Sequence, residues 1–180
     1  HVALADFGAY GQGPANAPEL AVVRNDYAMV YAFTGELAMA PIAVPGGGGG
    51  PATIGDFDGD GLPELAVAGK AYYTIFDIDC TAAPRPTGTC PVGTCDFGAC
   101  PAGVAWSRST QDLSSNVTGS SMFDFEADGH AEVVYADECF TRVYDGSSGE
   151  VLFSQYRSSC TWYENPIIAD VDGNYRADLV

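Results

Sequence analysis

The stretch Asp56-Phe-Asp-Gly-Asp-Gly-Leu-Pro-Glu64 places acidic residues at its first, third, fifth and ninth positions. Its two glycines allow a tight turn, and a bent backbone directs the alternating carboxylates toward a common centre. Two carboxylates about 5 Å apart repel by roughly 3 kcal/mol at an effective dielectric near 20, so four converging acids favour a bound cation. Oxygen ligands in this number are typical of calcium sites. The stretch is therefore predicted to be a calcium-binding loop, and the alternative is a strained turn.

The same pattern occurs twice more in the chain. Asp124-Phe-Glu-Ala-Asp-Gly-His-Ala-Glu132 has acids at the same four positions, and Asp170-Val-Asp-Gly-Asn-Tyr-Arg-Ala-Asp178 differs only by Asn174 at the fifth. Short apolar runs precede and follow each copy, so the loops are predicted to join β-strands. Calcium affinity is predicted to fall from the first copy to the third, because Ala127 and then Tyr175 replace glycines of the first copy.

An EF-hand is the obvious alternative for an acidic loop of this kind. That motif needs a bidentate Glu at position twelve and a helix on each side. Position twelve is Val67 in the first copy and Tyr135 in the second, and the flanking residues are typical of strands. The EF-hand is therefore excluded.

The arrangement instead resembles the FG-GAP or VCBS repeat, the blade unit of integrin-alpha-like β-propellers. The resemblance implies an all-β fold of four-stranded antiparallel blades and about three calcium ions. In that family the ion is held by side chains at positions one, three, five and nine and by the backbone carbonyl at position seven. Carried onto this chain, the implied ligands are Asp56, Asp58, Asp60, the Leu62 carbonyl and Glu64; Asp124, Glu126, Asp128, the His130 carbonyl and Glu132; and Asp170, Asp172, Asn174, the Arg176 carbonyl and Asp178.

The resemblance also divides the chain into units. Blade 1 is expected at about 1–44, a flexible Gly-rich connector at 45–51, blade 2 at about 52–110 with a Cys-rich insertion at 80–103, blade 3 at about 119–156, and the start of blade 4 at 164–180. In the first unit only Asp6 and Glu19 remain of the acids, which predicts a surface loop or a degenerate calcium loop. About three and a half blades cannot close a ring, so we expect a segment of a longer propeller, completed downstream or by a neighbouring subunit.

Charge and cysteine content indicate the environment. The chain has a net charge of −17 from 24 acids against 7 Lys and Arg, which argues against nucleic acid and anionic membranes as partners. No apolar run is long enough to span a membrane. Six cysteines with only two histidines favour disulfides over zinc, and hence an extracellular or cell-surface location. Cys139 is predicted to pair with Cys160, and Cys80, Cys90, Cys95 and Cys100 to pair among themselves.

No catalytic constellation is found in the sequence. Gly146-Ser-Ser-Gly149 lacks the spacing of a serine nucleophile turn, and the acids lie in metal-loop spacing rather than as a general acid and base pair. The sequence therefore predicts a non-catalytic, calcium-stabilised module for adhesion, ligand binding or extracellular assembly, with a protein or glycan ligand. The alternative is a carbohydrate-binding lectin or an accessory domain of a secreted hydrolase, in which Trp162 and Tyr163 are the candidates for stacking on sugar.

Overall fold

The computed structural model describes residues 1–8, 17–80, 93–159 and 164–180. These residues form an all-β structure of three four-stranded antiparallel sheets and one hairpin. The first sheet contains β1 (Val2–Ala5), β2 (Glu19–Arg24), β3 (Tyr27–Tyr31) and β4 (Leu37–Ala43). The second contains β5 (Thr53–Gly55), β6 (Glu64–Gly69), β7 (Tyr72–Phe76) and β8 (Val104–Ser109). The third contains β9 (Ser120–Phe123), β10 (Glu132–Ala136), β11 (Phe140–Tyr144) and β12 (Val151–Tyr156), and the hairpin pairs β13 (Ile168–Ala169) with β14 (Asp178–Leu179).

Within each sheet the strands pair in chain order, as in a meander. Short turns allow this order: Asn25 and Asp26 both have positive φ and link β2 to β3 as a two-residue hairpin. The predicted all-β class with antiparallel four-stranded sheets is confirmed. The described sheets do not close into a ring or a barrel, and the only regular helical segment among the described residues is one 3-10 turn at Ile78–Cys80. No helix in the described part of the chain is long and apolar enough to span a membrane.

The second sheet is buried on both faces, and β6 shows how. Leu65 and Val67 pack in a core shared with the first sheet, whereas Ala66 and Ala68 pack in a core shared with the third. Side chains alternate between the faces of a strand, so a continuous apolar run such as β6 fits a sheet covered on both sides. The three sheets therefore pack face to face in chain order.

Aromatic side chains fill the core between the second and third sheets. Tyr73 lies 4.8 Å from Tyr135 and 6.0 Å from Trp106, measured between ring centroids. The indole N–H of Trp106 donates to the carbonyl of Gly146 at 2.6 Å, which satisfies its polar atom across the interface. Tyr73 and Trp106 are fully buried, so neither is available to stack on a sugar.

The first strands of neighbouring sheets lie beside one another. β1 contacts β5, β5 contacts β9, and β9 contacts β13. Thr53 of β5 donates its hydroxyl to the carbonyl of Ser120 in β9 at 2.9 Å. At the opposite side of the third sheet, β12 is exposed along its whole length. The first strands thus lie together, whereas the last strands differ: β12 is exposed and β8 is mostly buried.

The Gly-rich connector at 45–51 differs from the flexible linker that its composition predicts. Gly47 accepts a hydrogen bond from the backbone N–H of Lys70 at 2.9 Å, and Gly50 donates to the carbonyl of Ala68 at the same distance. Gly48 donates to the side chain of Asp26 at 2.6 Å. The glycines are needed because the backbone has positive φ from Gly46 to Gly49 while it lies against both sheets. The connector is a packed part of the fold.

The cysteines are only partly as predicted. Cys95 and Cys100 form a disulfide, and Cys80 is also disulfide-bonded, as expected for cysteines of the insertion; Cys90 lies outside the described residues. Cys139 is a free thiol, so the predicted Cys139–Cys160 bridge is not formed, and Cys160 itself lies outside the described residues. In place of a disulfide, the backbone anchors this edge: the N–H of Arg157 donates to the carbonyl of Cys139 at 2.7 Å.

Candidate metal centre

The first acid of each nine-residue loop folds the loop around its own carboxylate. Asp56 accepts a hydrogen bond from the N–H of Gly59 at 2.7 Å on one oxygen and from the N–H of Gly61 at 3.0 Å on the other. The equivalent acceptors are Asp124, bonded to the N–H groups of Asp128 and Gly129, and Asp170, bonded to those of Gly173 and Tyr175. The three loops therefore share one backbone conformation.

The last acid of each loop closes it from the following strand. Glu64 accepts a hydrogen bond from the N–H of Phe57 at 2.6 Å. Glu132 does so from Phe125 at 2.8 Å, and Asp178 from Val171 at 3.0 Å. Glu64 opens β6, so its carboxylate is placed by the sheet and not by the loop alone. This contact keeps the ninth position beside the first.

Two residues in each loop adopt positive φ. In the first loop both are glycine, Gly59 and Gly61. In the second and third loops one of the two is Ala127 or Tyr175, with φ of 57° and 64°. A residue with a Cβ is destabilised by roughly 1–2 kcal/mol in this left-handed backbone conformation. The backbone strain predicted for Ala127 and Tyr175 is therefore present in the structure.

Convergence of the carboxylates differs between the loops. Oxygens of Asp56, Asp58, Asp60 and Glu64 all lie within 4.8 Å of one another, and so do those of Asp170, Asp172 and Asp178. In the third loop the side-chain amide of Asn174 donates to Asp172 at 2.9 Å. Within the described second loop no three carboxylates approach this closely: Asp124, Glu126, Asp128 and Glu132 remain more spread.

The fifth position of each loop holds the seventh in place. Asp60 accepts from the N–H of Leu62 at 2.8 Å, and the same contact joins Asp128 to His130 and Asn174 to Arg176 at 3.0 and 2.8 Å. The fifth side chain is thus fixed by the backbone; Asp60 and Asp128 each keep a second carboxylate oxygen for another partner, and the single side-chain oxygen of Asn174 keeps a second lone pair. The ligand role of the three carbonyls at position seven stays a prediction.

Burial makes the first loop the most strongly perturbed of the three. The pKa of Glu64 is raised to about 9, chiefly by burial, with further contributions from Asp58 and the neighbouring acids. Burial and carboxylate neighbours also raise the pKa of Asp58 and of Asp60. By contrast, backbone N–H donors lower the pKa of Asp124 and of Asp170. Ionising all the acids of the first loop at neutral pH therefore costs free energy when no cation is bound.

Two acids outside the nine-residue pattern also lie at the first loop. Asp77 and Asp79 follow β7, and their carboxylates interact with those of Asp58 and Asp60. Burial, together with the adjacent Asp79, raises the pKa of Asp77 to about 8. Neither acid belongs to the nine-residue repeat, so the repeat pattern does not predict them. The sequence signal that could have found them is Asp-Ile-Asp directly after an apolar strand.

The second loop lies against the first. The imidazole of His130 is so close to Gly59 that a Cβ added there would be 2.3 Å from Nε2. The N–H of Ala131 donates to the carbonyl of Asp56 at 2.9 Å. His130 therefore has a packing role at the boundary between two sheets, in addition to any role of its carbonyl.

The acidic clusters could hold metal ions, and their chemistry fits a hard cation. Every converging side-chain atom in the first loop is a carboxylate oxygen, and a hard divalent ion is bound by several such oxygens. The three ion pairs of the described residues join Arg108 to Asp96, Arg142 to Asp137 and Arg157 to Glu164, all outside the loops. No basic side chain of the described structure thus pairs with the loop acids.

Comparison with solved structures gives similar chains, one of which is a biofilm matrix protein. No protein-family model matches the chain, and no curated protein matches it. The chain is similar to the crystal structure of the V. cholerae biofilm matrix protein Bap1, with a TM-score of 0.50 and 28% sequence identity. The similarity covers 65% of this chain and 16% of Bap1, so the chain corresponds to a small part of that protein.

Proposed function

We propose that this chain is a non-catalytic, calcium-stabilised β-propeller module of the FG-GAP or VCBS type that serves adhesion, ligand binding or assembly in an extracellular matrix. The similarity to a biofilm matrix protein is the observation that carries the functional part of this proposal. Identity of 28% over 65% of the chain makes a related role the most economical explanation.

The packing of the sheets supports the propeller. Blades of a propeller are four-stranded meanders whose first strands surround a common axis and whose faces pack on one another. The three sheets are meanders, their first strands β1, β5 and β9 are neighbours, and the second sheet is covered on both faces. The hairpin of β13 and β14 lies next in this order, beside β9.

Calcium is the cation that the loops favour. The ligand set consists of oxygens only: carboxylates, a backbone carbonyl and, in the third loop, an Asn side-chain oxygen. The loops contain no Cys, and the ligand set does not use the imidazole of His130, so it suits calcium better than a transition metal. In this proposal Asp56, Asp58, Asp60 and Glu64 hold the first ion, the third loop holds another, and the more open second loop must tighten to bind its own. Bound calcium would offset much of the acidic charge and fix the blade edges.

An extracellular location is consistent with the cysteines. Disulfides such as Cys95–Cys100 persist mainly in oxidising compartments, and the structural relative is a matrix protein. Millimolar calcium outside cells would saturate even sites with dissociation constants near 10⁻⁴ M.

A test of the function measures retention of the labelled chain on isolated biofilm matrix, in calcium and in chelator. We expect retention in calcium only, with strong loss for Asp58→Asn and none for Glu150→Gln, an exposed acid outside the loops. Loss of retention after protease treatment of the matrix would indicate a protein ligand, and competition by free sugar would indicate the lectin alternative. Equal retention of all variants in chelator would overturn the calcium-dependent role. Hydrolysis of matrix polysaccharide by the purified chain would overturn its non-catalytic character.

A further inference from the structure

The turn that follows β7 places two buried carboxylates beside the first loop. Asp77 is 1% exposed and Asp79 is 5% exposed. Asp77 accepts hydrogen bonds from the N–H groups of Asp79 and Cys80 at 3.0 and 3.3 Å, which fixes the 3-10 turn. Oxygens of the two acids lie within 4.8 Å of each other, so the turn presents a pair of carboxylates and not a single one.

One oxygen of Asp79 is buried without a hydrogen-bond donor. Its Oδ2 has no partner, although the residue is more than nine-tenths buried. Its charged neighbours are the carboxylates of Asp58, Asp60 and Asp77, and no basic side chain of the described residues pairs with it. A buried acid oxygen with neither a donor nor a counter-charge is costly, and coordination to a cation removes that cost.

The third sheet shows what this turn looks like without a second acid. Asp145 follows β11 as Asp77 follows β7. Asp145 accepts hydrogen bonds from the hydroxyl of Ser147 at 2.8 Å and from the N–H of Ser148 at 2.7 Å, so neutral donors satisfy it. At the position of Ser147 the second sheet has Asp79, which cannot donate when ionised. The acid is therefore not needed to form the turn.

We propose that Asp77 and Asp79 hold a second hard divalent cation next to that of the first loop, with the Asp60 carboxylate between the two positions. The carboxylates of Asp60 and Asp79 interact, so Asp60 is near enough to supply an oxygen to the second ion from the loop side. Cys80 lies within the same cluster but is disulfide-bonded, so its sulfur cannot serve as a thiolate. The donors that remain are oxygens, and calcium is the ion of choice.

The site adjoins the calcium loop of the proposed function, and single variants separate the two. Asp79→Asn keeps the side-chain shape and removes one charge, Asp56→Asn affects the first loop, and Asp145→Asn is the matched control in the third sheet. The measurements are bound calcium per chain by metal analysis after equilibration in millimolar calcium, and the melting temperature in calcium and in chelator.

We expect Asp79→Asn to lose one calcium per chain, to melt at a lower temperature than the parent in calcium, and to melt at a higher temperature in chelator, where repulsion is relieved. Asp145→Asn should keep the parental calcium content. An Asp79→Asn chain with full calcium content and the same melting shift in both media would overturn the second site, even if Asp56→Asn lost an ion. Calcium loss in Asp79→Asn but not in Asp56→Asn would instead contradict the first-loop assignment and leave the second site standing.

Discussion

Glu19 accepts a hydrogen bond from the backbone N–H of Phe7 at 2.8 Å, the contact that Glu64 makes with Phe57 at 2.6 Å. The first sheet therefore retains the closing contact of the acidic loops, and Phe7 is buried as Phe57 is. Asp6, at the first position, accepts from the N–H of Gly8 at 3.1 Å, two residues further on, whereas Asp56 accepts from residues three and five further on. The first unit therefore preserves the closing contact of a calcium loop at its last acid.

This relationship predicts different responses of two equivalent residues to calcium. A Gln at position 19 or 64 can still accept the backbone hydrogen bond from Phe7 or Phe57, so each Glu→Gln substitution mainly removes a negative charge. We expect Glu19→Gln to shift the melting temperature equally in calcium and in chelator. Glu64→Gln should raise the melting temperature in chelator and reduce the gain that calcium provides. A calcium-dependent shift in Glu19→Gln would show that the first unit also binds an ion.

The convergence of carboxylates predicts the order of affinity of the three loops. The sequence alone orders them first, second, third, whereas the geometry brings acids together in the first and third loops and not in the second. We therefore expect Asp56→Asn to remove the tightest calcium and Asp170→Asn the next, with Asp124→Asn giving the smallest change in titration calorimetry. Dissociation constants should lie near 10⁻⁴ to 10⁻³ M or somewhat tighter. A dominant effect of Asp124→Asn would support the sequence-based order over the geometric one for the second loop.

Backbone strain in the third loop can be relieved at one residue. Tyr175 has φ of 64° and a side chain that is 97% exposed, so replacing it loses no core contact. Tyr175→Gly should stabilise the folded chain by about 0.5–1 kcal/mol, the cost of positive φ being partly offset by the greater freedom of glycine when unfolded. Thermal melting in saturating calcium measures this, and Tyr175→Ala, which keeps the strain, is the control. A lower melting temperature for the Gly variant would show that Tyr175 makes a stabilising contact.

Stability without calcium should depend on pH through Glu64. Its pKa is about 9 in the folded chain against an ordinary 4.5, so between these values the folded state binds more protons than the unfolded state. Stability must then fall as pH rises through this window. The acids that face Glu64 are Asp58, Asp77 and Asp56, and their repulsion acts in the same direction. We expect the melting temperature in chelator to fall from pH 5 to pH 9 in the parent and to fall less in Glu64→Gln.

Much of the fold follows from local pattern, because each acidic loop is bounded by strands whose alternation is visible in the sequence. The positions of Asp77 and Asp79 do not follow, since only the pairing of β6 with β7 brings their turn beside a loop at the start of β6. The Gly-rich connector is similar: composition predicts flexibility, and only the packing of two sheets shows where its backbone donors and acceptors are used. For Cys139, strand order brings it near the end of β12 without forming the predicted crosslink. Trp162 and Tyr163 lie outside the described residues, so their proposed contact with sugar stays a prediction.

The division of β6 between two cores limits how such units can be recombined. Its larger side chains, Leu65 and Val67, face one neighbour, and its alanines face the aromatic side chains of the other. Each interface therefore has its own volume, and a unit moved to a different place in the array would meet the wrong partner surface. A one-residue deletion in β6 would have the same effect without moving any unit, because it exchanges the two faces. Although the loops repeat, the units are not interchangeable, and artificial arrays built from copies of the second unit would need both faces redesigned.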